Sequence, residues 1–522
     1  MVAERITCAK EISQPITPSS ERVWLFCIAA LLITVSLVAV SRESFWIDEL
    51  ITTHFASQPS LTAMWHEMFR LKWPELQAPL YMAYIWGWQH LFGGGEWTSR
   101  LAGVPWLVAG ATFFVSSFRA PLERICALSV VALNPFTWFY LNEARLYSLE
   151  LGLTYLLIAA LIRLRTVAAR DPRFEACWLV VLCLSAWLLS VLTVLGIIWL
   201  SALFLILPAL FSVRELSNWI RQQRFLFGTT ALALLPCVCY YLWTRSLGTR
   251  AASFTEIGWK NLGFILYEQL GFNGLGPGRL ALREGGLSAL RPWVPLLGVY
   301  AAAVCIVSIV GLRGLIRSGK MRLVLAVVVA IAVPTAFLVA IGFLMHFRVL
   351  GRHCTPTVAV IAFLFMRGTT SLCQCKRWWA PLGIAVFLSL TLLSCLSQRF
   401  AYRHAKDDYR SAVRIAEAAL AQGKSVWWNA DPLGCEYYHL NSSRSGPRPG
   451  TTWILMNPVA GFEKGIALPD LVVVSKPDAY DTLGGLQTFL KREGYNLRET
   501  LPAFAIFGRP DQAPKFYKTD RM

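Results

Sequence analysis

Apolar runs of roughly 18 to 22 residues recur from Val23 to about residue 397, separated mostly by short polar stretches. About 20 helical residues cross the ~30 Å core of a bilayer, so each run predicts a membrane-spanning helix. The runs fall at 23–40, 101–118, 125–142, 146–162, 176–192, 193–212, 225–243, 292–312, 323–344, 353–366 and 378–397. A shorter apolar segment, 79–92, ends in Gly93-Gly94-Gly95 and predicts a partial or tilted crossing. The pattern is that of an α-helical polytopic membrane protein with about 11 to 12 transmembrane segments.

The rhythm changes after residue 397. Residues 405–422 carry Ala and Leu at helical spacing and stop at Gly423. Ser425-Val426-Trp427-Trp428 and Asp470-Leu471-Val472-Val473-Val474 predict strands, followed by a helix near 480–494 and a strand near 500–508. This alternation predicts a small α/β domain with a parallel sheet over 398–522. Residues 1–22 form a mixed-charge tail, and Pro15, Pro18, Glu4, Glu11 and Glu21 point to a retained first helix rather than a cleaved signal peptide.

Composition agrees with the pattern: 56% of the 522 residues are hydrophobic and only 15% are charged. The net charge of +18 is not a nucleic-acid signature, because the basic residues cluster in short loops. Examples are Arg119 and Arg124; Arg163, Arg165, Arg170 and Arg173; and Arg313, Arg317, Lys320 and Arg322. Cytoplasmic loops are enriched in Lys and Arg, so these loops are expected inside and the intervening spans come in pairs. That parity puts the two long loops, 41–78 and 244–291, and the 398–522 domain outside. Leu61 to Phe69 and Trp259 to Leu270 predict helices lying along the surface; the second loop also carries Arg245, Arg250, Lys260, Arg279 and Arg283.

Four polar sets fall on this outer face: Asp48-Glu49; Gln77 with Tyr81; Glu143, Arg145 and Tyr147; and Arg348, Arg352 and His353. Glu143 and Arg145 interrupt a long apolar stretch, where each costs about 2.5–3.5 kcal/mol at a helix centre and so belongs at a rim or in a wet cavity. Taken singly, each set has a plain alternative: a solvated loop, a turn between helices, or a charge reaching the interface. Together, acids able to deprotonate a nucleophile or hold a metal face arginines suited to phosphate.

The ordered motifs then carry a resemblance. Trp46-Ile47-Asp48-Glu49, Ala78-Pro79-Leu80-Tyr81, Glu96 to Arg100, Asn134-Pro135-Phe136, Asn142-Glu143-Ala144-Arg145-Leu146-Tyr147 and Asp408-Tyr409-Arg410 recur in this order. The chain resembles the GT-C glycosyltransferases of the protein O-mannosyltransferase and lipid A aminoarabinose transferase type. That resemblance implies transfer of a sugar from a polyprenyl-phosphate donor to a lipid, glycan or protein acceptor at the outer face of the cytoplasmic membrane. It implies Asp48 as the acid that activates the acceptor and Arg352 as a carrier-phosphate contact; the neighbouring residues then suggest Glu49 positioning Asp48 or sharing a cation, and Glu143 and Tyr147 lining the cavity. Arg145, Arg348 and Arg352 would neutralise the departing phosphate, with Gln77, Tyr81 and His353 nearby. A divalent cation (Mg or Mn) is left open, because Gln77 stands where the family usually has His or an acid. The rival readings are a transporter or lipid flippase, which should show two related halves, and a catalytically dead relative acting as a scaffold.

Overall fold

A computed structural model describes residues 18–167, 172–247, 258–344, 346 and 348–509. Most of the predicted inner tail, together with Arg170 and Arg250, lies outside the described residues. The chain separates into two compact units. The first is built from residues up to Ser41 and from Gln58–His404; the second combines Arg42–Ser57 with the chain from Ala405 onward.

The first unit is helical. Among the described residues, eight helices are long and apolar enough to cross a membrane, or up to ten if each of two bent pairs is one span. Every predicted apolar run corresponds to a helix or a bent pair of helices. The 125–142 run is broken into Pro121–Ala132 and Pro135–Leu141, bent by 49°. Asn134 causes the break: its side chain caps Thr137 N at 3.0 Å, and Pro135 occupies the first helical position. The short segment is helix Pro79–Phe92, whose 14 residues rise only about 21 Å, less than the ~30 Å core.

Small residues set the closest helix contacts. A Cβ on Gly110 would lie 1.8 Å from Gly152 O, so helix Val104–Ser116 meets Tyr147–Val167 backbone to backbone. A Cβ on Gly368 would lie 2.1 Å from Val307 O, which does the same for Thr355–Cys373 and Val294–Arg317. The exit of the first span is pinned within this unit. Ser41 N donates to Asn142 Oδ1 at 2.8 Å, and the fully buried Arg100 donates to Ser41 O at 3.2 Å.

The second unit contains a six-stranded sheet in the order β2-β3-β1-β4-β6-β5. Its strands are β1 Val426–Asn429, β2 Ser442–Ser443, β3 Thr452–Ile454, β4 Leu471–Ser475, β5 Asn496–Leu501 and β6 Phe504–Gly508. The predicted parallel arrangement holds for β2, β3, β1 and β4. It fails at the edge, where β6 runs antiparallel to both β4 and β5. The single strand expected near 500–508 is a hairpin, because Ala503 takes a positive φ of 64° directly after Pro502 and turns the chain. Central β1 and β4 are buried along their whole length. Trp427 stacks on Phe489 at 5.1 Å, while Trp428, its neighbour in the strand, lies against Tyr409 and Phe504. Alternate residues therefore anchor two helices, Gly485–Arg492 and Tyr409–Ala421, on opposite faces.

Residues 42–57 are the unexpected part of this unit. They were expected as loop, yet Ile47–Ala56 is a helix packed on helix Pro432–Tyr437. Phe45 meets Tyr437 ring to ring at 5.2 Å, and the Tyr438 hydroxyl accepts from Phe45 N at 3.0 Å.

Candidate functional site

The acidic pair sits in the first turn of helix Ile47–Ala56, where the aligned backbone N–H groups favour negative charge. Its two members have different surroundings. Glu49 is fully buried; its carboxylate accepts from Trp46 N at 3.3 Å and pairs with the Lys406 ammonium at 3.5 Å. It closes the helix start and ties it to the segment entering the sheet domain. Asp48 is only half-buried, and its backbone carbonyl accepts from Thr52. The side chain of Asp48 is thus partly accessible, whereas that of Glu49 is enclosed.

In the first unit a buried polar cluster forms around Arg279. The Arg279 guanidinium donates to Glu268, lies 3.9 Å from Glu143, donates to the Tyr140 hydroxyl at 3.3 Å, and stacks over the Phe139 ring at 3.9 Å. Both Glu143 and Glu268 are essentially inaccessible to solvent. Tyr147 packs against Tyr140 at 4.8 Å, and Arg352 acts electrostatically on Tyr140 and Arg279. Arg348 stands at the exposed side of this group. Partial burial, with Arg283 and Arg352 close by, pushes its guanidinium below the usual arginine range, against the opposing pull of Glu268.

Four arginines (Arg279, Arg283, Arg348 and Arg352) thus gather with two carboxylates (Glu143 and Glu268). The planar guanidinium suits phosphate oxygens.

The cluster is held by a tight backbone contact. Gly351 N donates to Glu268 Oε2 at 3.0 Å, and a Cβ at Gly351 would lie 2.4 Å from that oxygen. Glycine at this position lets the carboxylate of helix Trp259–Gln269 reach the backbone just before Arg352. The His353 ring accepts from Leu350 N at 3.0 Å and its carbonyl accepts from Trp199. Its ring closes the turn that carries Arg352.

Of the predicted set, Glu143, Tyr147, Arg348 and Arg352 come together here. Arg145 is held differently: it pairs with the buried Glu75 at 2.9 Å. Gln77 is half-buried in the same short turn as Glu75, and Tyr81 is buried two residues into the next helix. Glu75, Tyr140, Glu268 and Arg279 were not singled out from sequence. Arg279 was visible only as one of several charges in a long loop; Gly351 beside Arg352 was the available hint of a close approach.

The donor set for a resident cation is a poor one. Among the described residues no three His, Cys, Asp or Glu side chains gather as a metal requires. Glu49, one of the acids considered for that role, is held by an ammonium and a backbone N–H.

No protein-family model matches the chain, and no curated protein is similar to it. Solved structures do match. The crystal structure of ArnT from Cupriavidus metallidurans in the apo state gives a TM-score of 0.50 at 12% identity, over 93% of this chain and 98% of that one. The same protein bound to undecaprenyl phosphate gives 0.48 at 12% identity, over 93% and 97%. The arabinofuranosyltransferase AftD from Mycobacteria gives 0.42 at 14% identity, over 93% of this chain and 40% of that one. The chain therefore has, over nearly its whole length, the GT-C-like fold of the apo ArnT structure: a polytopic helical body with a small C-terminal α/β region.

Proposed function

We propose that this protein is an integral-membrane glycosyltransferase. It moves a sugar from a polyprenyl-phosphate-linked donor to a lipid, glycan or protein acceptor on the outer face of the cytoplasmic membrane, where the sheet domain also resides. The observation that carries this reading is the gathering of Arg279, Arg348 and Arg352 around one buried acidic pair, Glu143 and Glu268, on a fold shared with apo ArnT. Arg279, Arg348 and Arg352 hold the carrier phosphate. As the bond from the anomeric carbon to the phosphate oxygen breaks, the electron pair stays on the phosphate and these guanidinium groups neutralise it. Glu143 and Glu268 keep Arg279 aimed rather than contacting the sugar. A new bond forms from the acceptor oxygen to the anomeric carbon, and Asp48 takes the acceptor's proton. Single displacement of this kind inverts the anomeric configuration.

The test uses membranes and labelled lipid-linked sugar. Asp48→Asn should abolish transfer while leaving carrier binding intact. Arg279→Gln should weaken carrier binding by about 10- to 150-fold, since a hydrogen bond to a charged group contributes about 1.5–3 kcal/mol. Full transfer by a well-expressed Asp48→Asn protein would sink the assignment of the base. Unchanged carrier binding in Arg279→Gln would sink the phosphate site.

A further inference from the structure

A cavity of about 490 Å³ lies among helices Tyr147–Val167, Val194–Leu210, Met321–Leu344 and Thr355–Cys373. That volume is in the ~300–1,000 Å³ range of ligand sites. Its walls are apolar, with Leu157, Leu203, Val327 and Phe363 typical of them. Pro356 and Trp199 line one end; Arg119, Arg165, Lys320 and Arg367 line the other. The basic residues share that end because of where they sit on the helices. Arg165 is in the last turn of its helix, Lys320 directly precedes Met321–Leu344, and Arg367 lies eleven residues beyond Pro356. Eleven helical residues rise about 16 Å, roughly half of a ~30 Å bilayer core and so the depth of one leaflet's chains.

Among the described residues, the basic groups at this end outnumber their carboxylate partners. Arg367 pairs with Glu123, the acid in the lining. Arg119 donates to Thr166 O at 3.3 Å, and Arg165 donates to Leu210 O. Among the described residues no carboxylate pairs with Arg119, Arg165 or Lys320. Glu215, which acts on Arg165 from a distance, is held by Ser212. An apolar slot one leaflet deep, with three cations at its mouth that no described carboxylate pairs, matches a lipid with a phosphate headgroup. Basic pockets between membrane helices bind such headgroups.

We propose that this slot holds an anionic phospholipid, with its phosphate at Arg119, Arg165 and Lys320 and an acyl chain running inward toward Trp199. The site is separate from the Arg279 cluster. Arg352 and Arg367 lie at opposite ends of the same helical segment, about 20 Å apart along its axis. The slot would bind lipid whether or not the Arg279 cluster serves sugar transfer.

Native mass spectrometry of the purified full chain, given equal phosphatidylglycerol and phosphatidylcholine, tests this. The expected result is one retained phosphatidylglycerol, preferred by about tenfold or more, equivalent to ~1.4 kcal/mol. Arg119→Gln with Lys320→Gln, both at exposed positions, should bring the two lipids to parity. Ala326→Phe or Ala202→Phe, which place a ring in the slot, should expel both lipids, while Arg279→Gln should leave retention unchanged. Millimolar inorganic phosphate should not displace the lipid. Equal retention of the two lipids by the unaltered protein overturns the proposal. So does retention that survives both the charge and the slot-filling variants, or displacement by phosphate alone.

Discussion

Replacing Lys406 by Met isolates what Glu49 does. The Glu49 side chain has no solvent exposure, Lys406 has 8%, and the two charges are 3.5 Å apart. Removing the ammonium leaves a buried carboxylate with the Trp46 N–H at 3.3 Å among its remaining donors. Breaking a buried pair from one side costs about 3–5 kcal/mol, because the surviving charge has neither water nor counter-charge. The retained N–H argues for the lower end, about 3 kcal/mol, which is more than ~100-fold in the opening equilibrium. The loss should be confined to the unit containing 42–57 and the sheet. Limited proteolysis at a series of denaturant concentrations reads it as earlier cleavage of the chain beyond Ala405. Glu49→Gln combined with Lys406→Met removes both charges and should recover most of the loss, since a neutral buried pair lacks the desolvation penalty. Transfer activity should return with it. A Lys406→Met protein as stable as the parent would refute the reasoning. A double variant that is stable but inactive would show that Glu49 has a chemical role after all.

Two further outcomes follow from the first unit. Gly351→Ala places a Cβ 2.4 Å from Glu268 Oε2 and 2.9 Å from Glu268 Cβ, so helix Trp259–Gln269 must shift. Carrier binding should fall at least tenfold, by about 1.4 kcal/mol or more, and calorimetric binding equal to the parent's would contradict it. His404 is pushed down to about 4 by burial, then by Arg403, while its ring nitrogen lies 3.2 Å from Gly274 O. Its native pKa is below the unfolded value of ~6.5, so the unfolded chain takes the proton first. Its contribution, about 1–3 kcal/mol, is complete above pH ~6.5 and is lost as pH falls toward 4. His404→Gln should flatten that part of the thermal-stability profile, and an unchanged slope would refute the assignment.

The membrane body was legible because the hydrocarbon core imposes its length on each apolar run. The break at Asn134-Pro135 was not read from the sequence, where 125–142 is one apolar run, although that pair both caps and starts a helix. The edge of the sheet was not. β2 is two serines, with no alternation to detect, and the β5–β6 turn at Pro502-Ala503 lacks a glycine. In the site, Glu143 announced itself by interrupting apolar sequence, and Arg352 by standing at the start of an apolar run. Glu268 and Arg279 sit in a polar loop, where a charge is unremarkable; only the packing of that loop buries them. The pairing of Phe45 with Tyr437 and Tyr438 spans almost 400 positions. No local pattern encodes a contact of that separation.

Assembly of the second unit from two distant pieces has a consequence in time. Residues 42–57 leave the ribosome 348 residues before Ala405 does. At about 5–20 residues per second, that is roughly 17 to 70 s in which the helix bearing Asp48 has no sheet to fold against. A chain that stops short of Pro432–Tyr437 can insert all its spans and still leave that helix without its packing partner. Completion of the acidic segment thus becomes a late checkpoint on synthesis, passed only once the chain extends into the sheet domain.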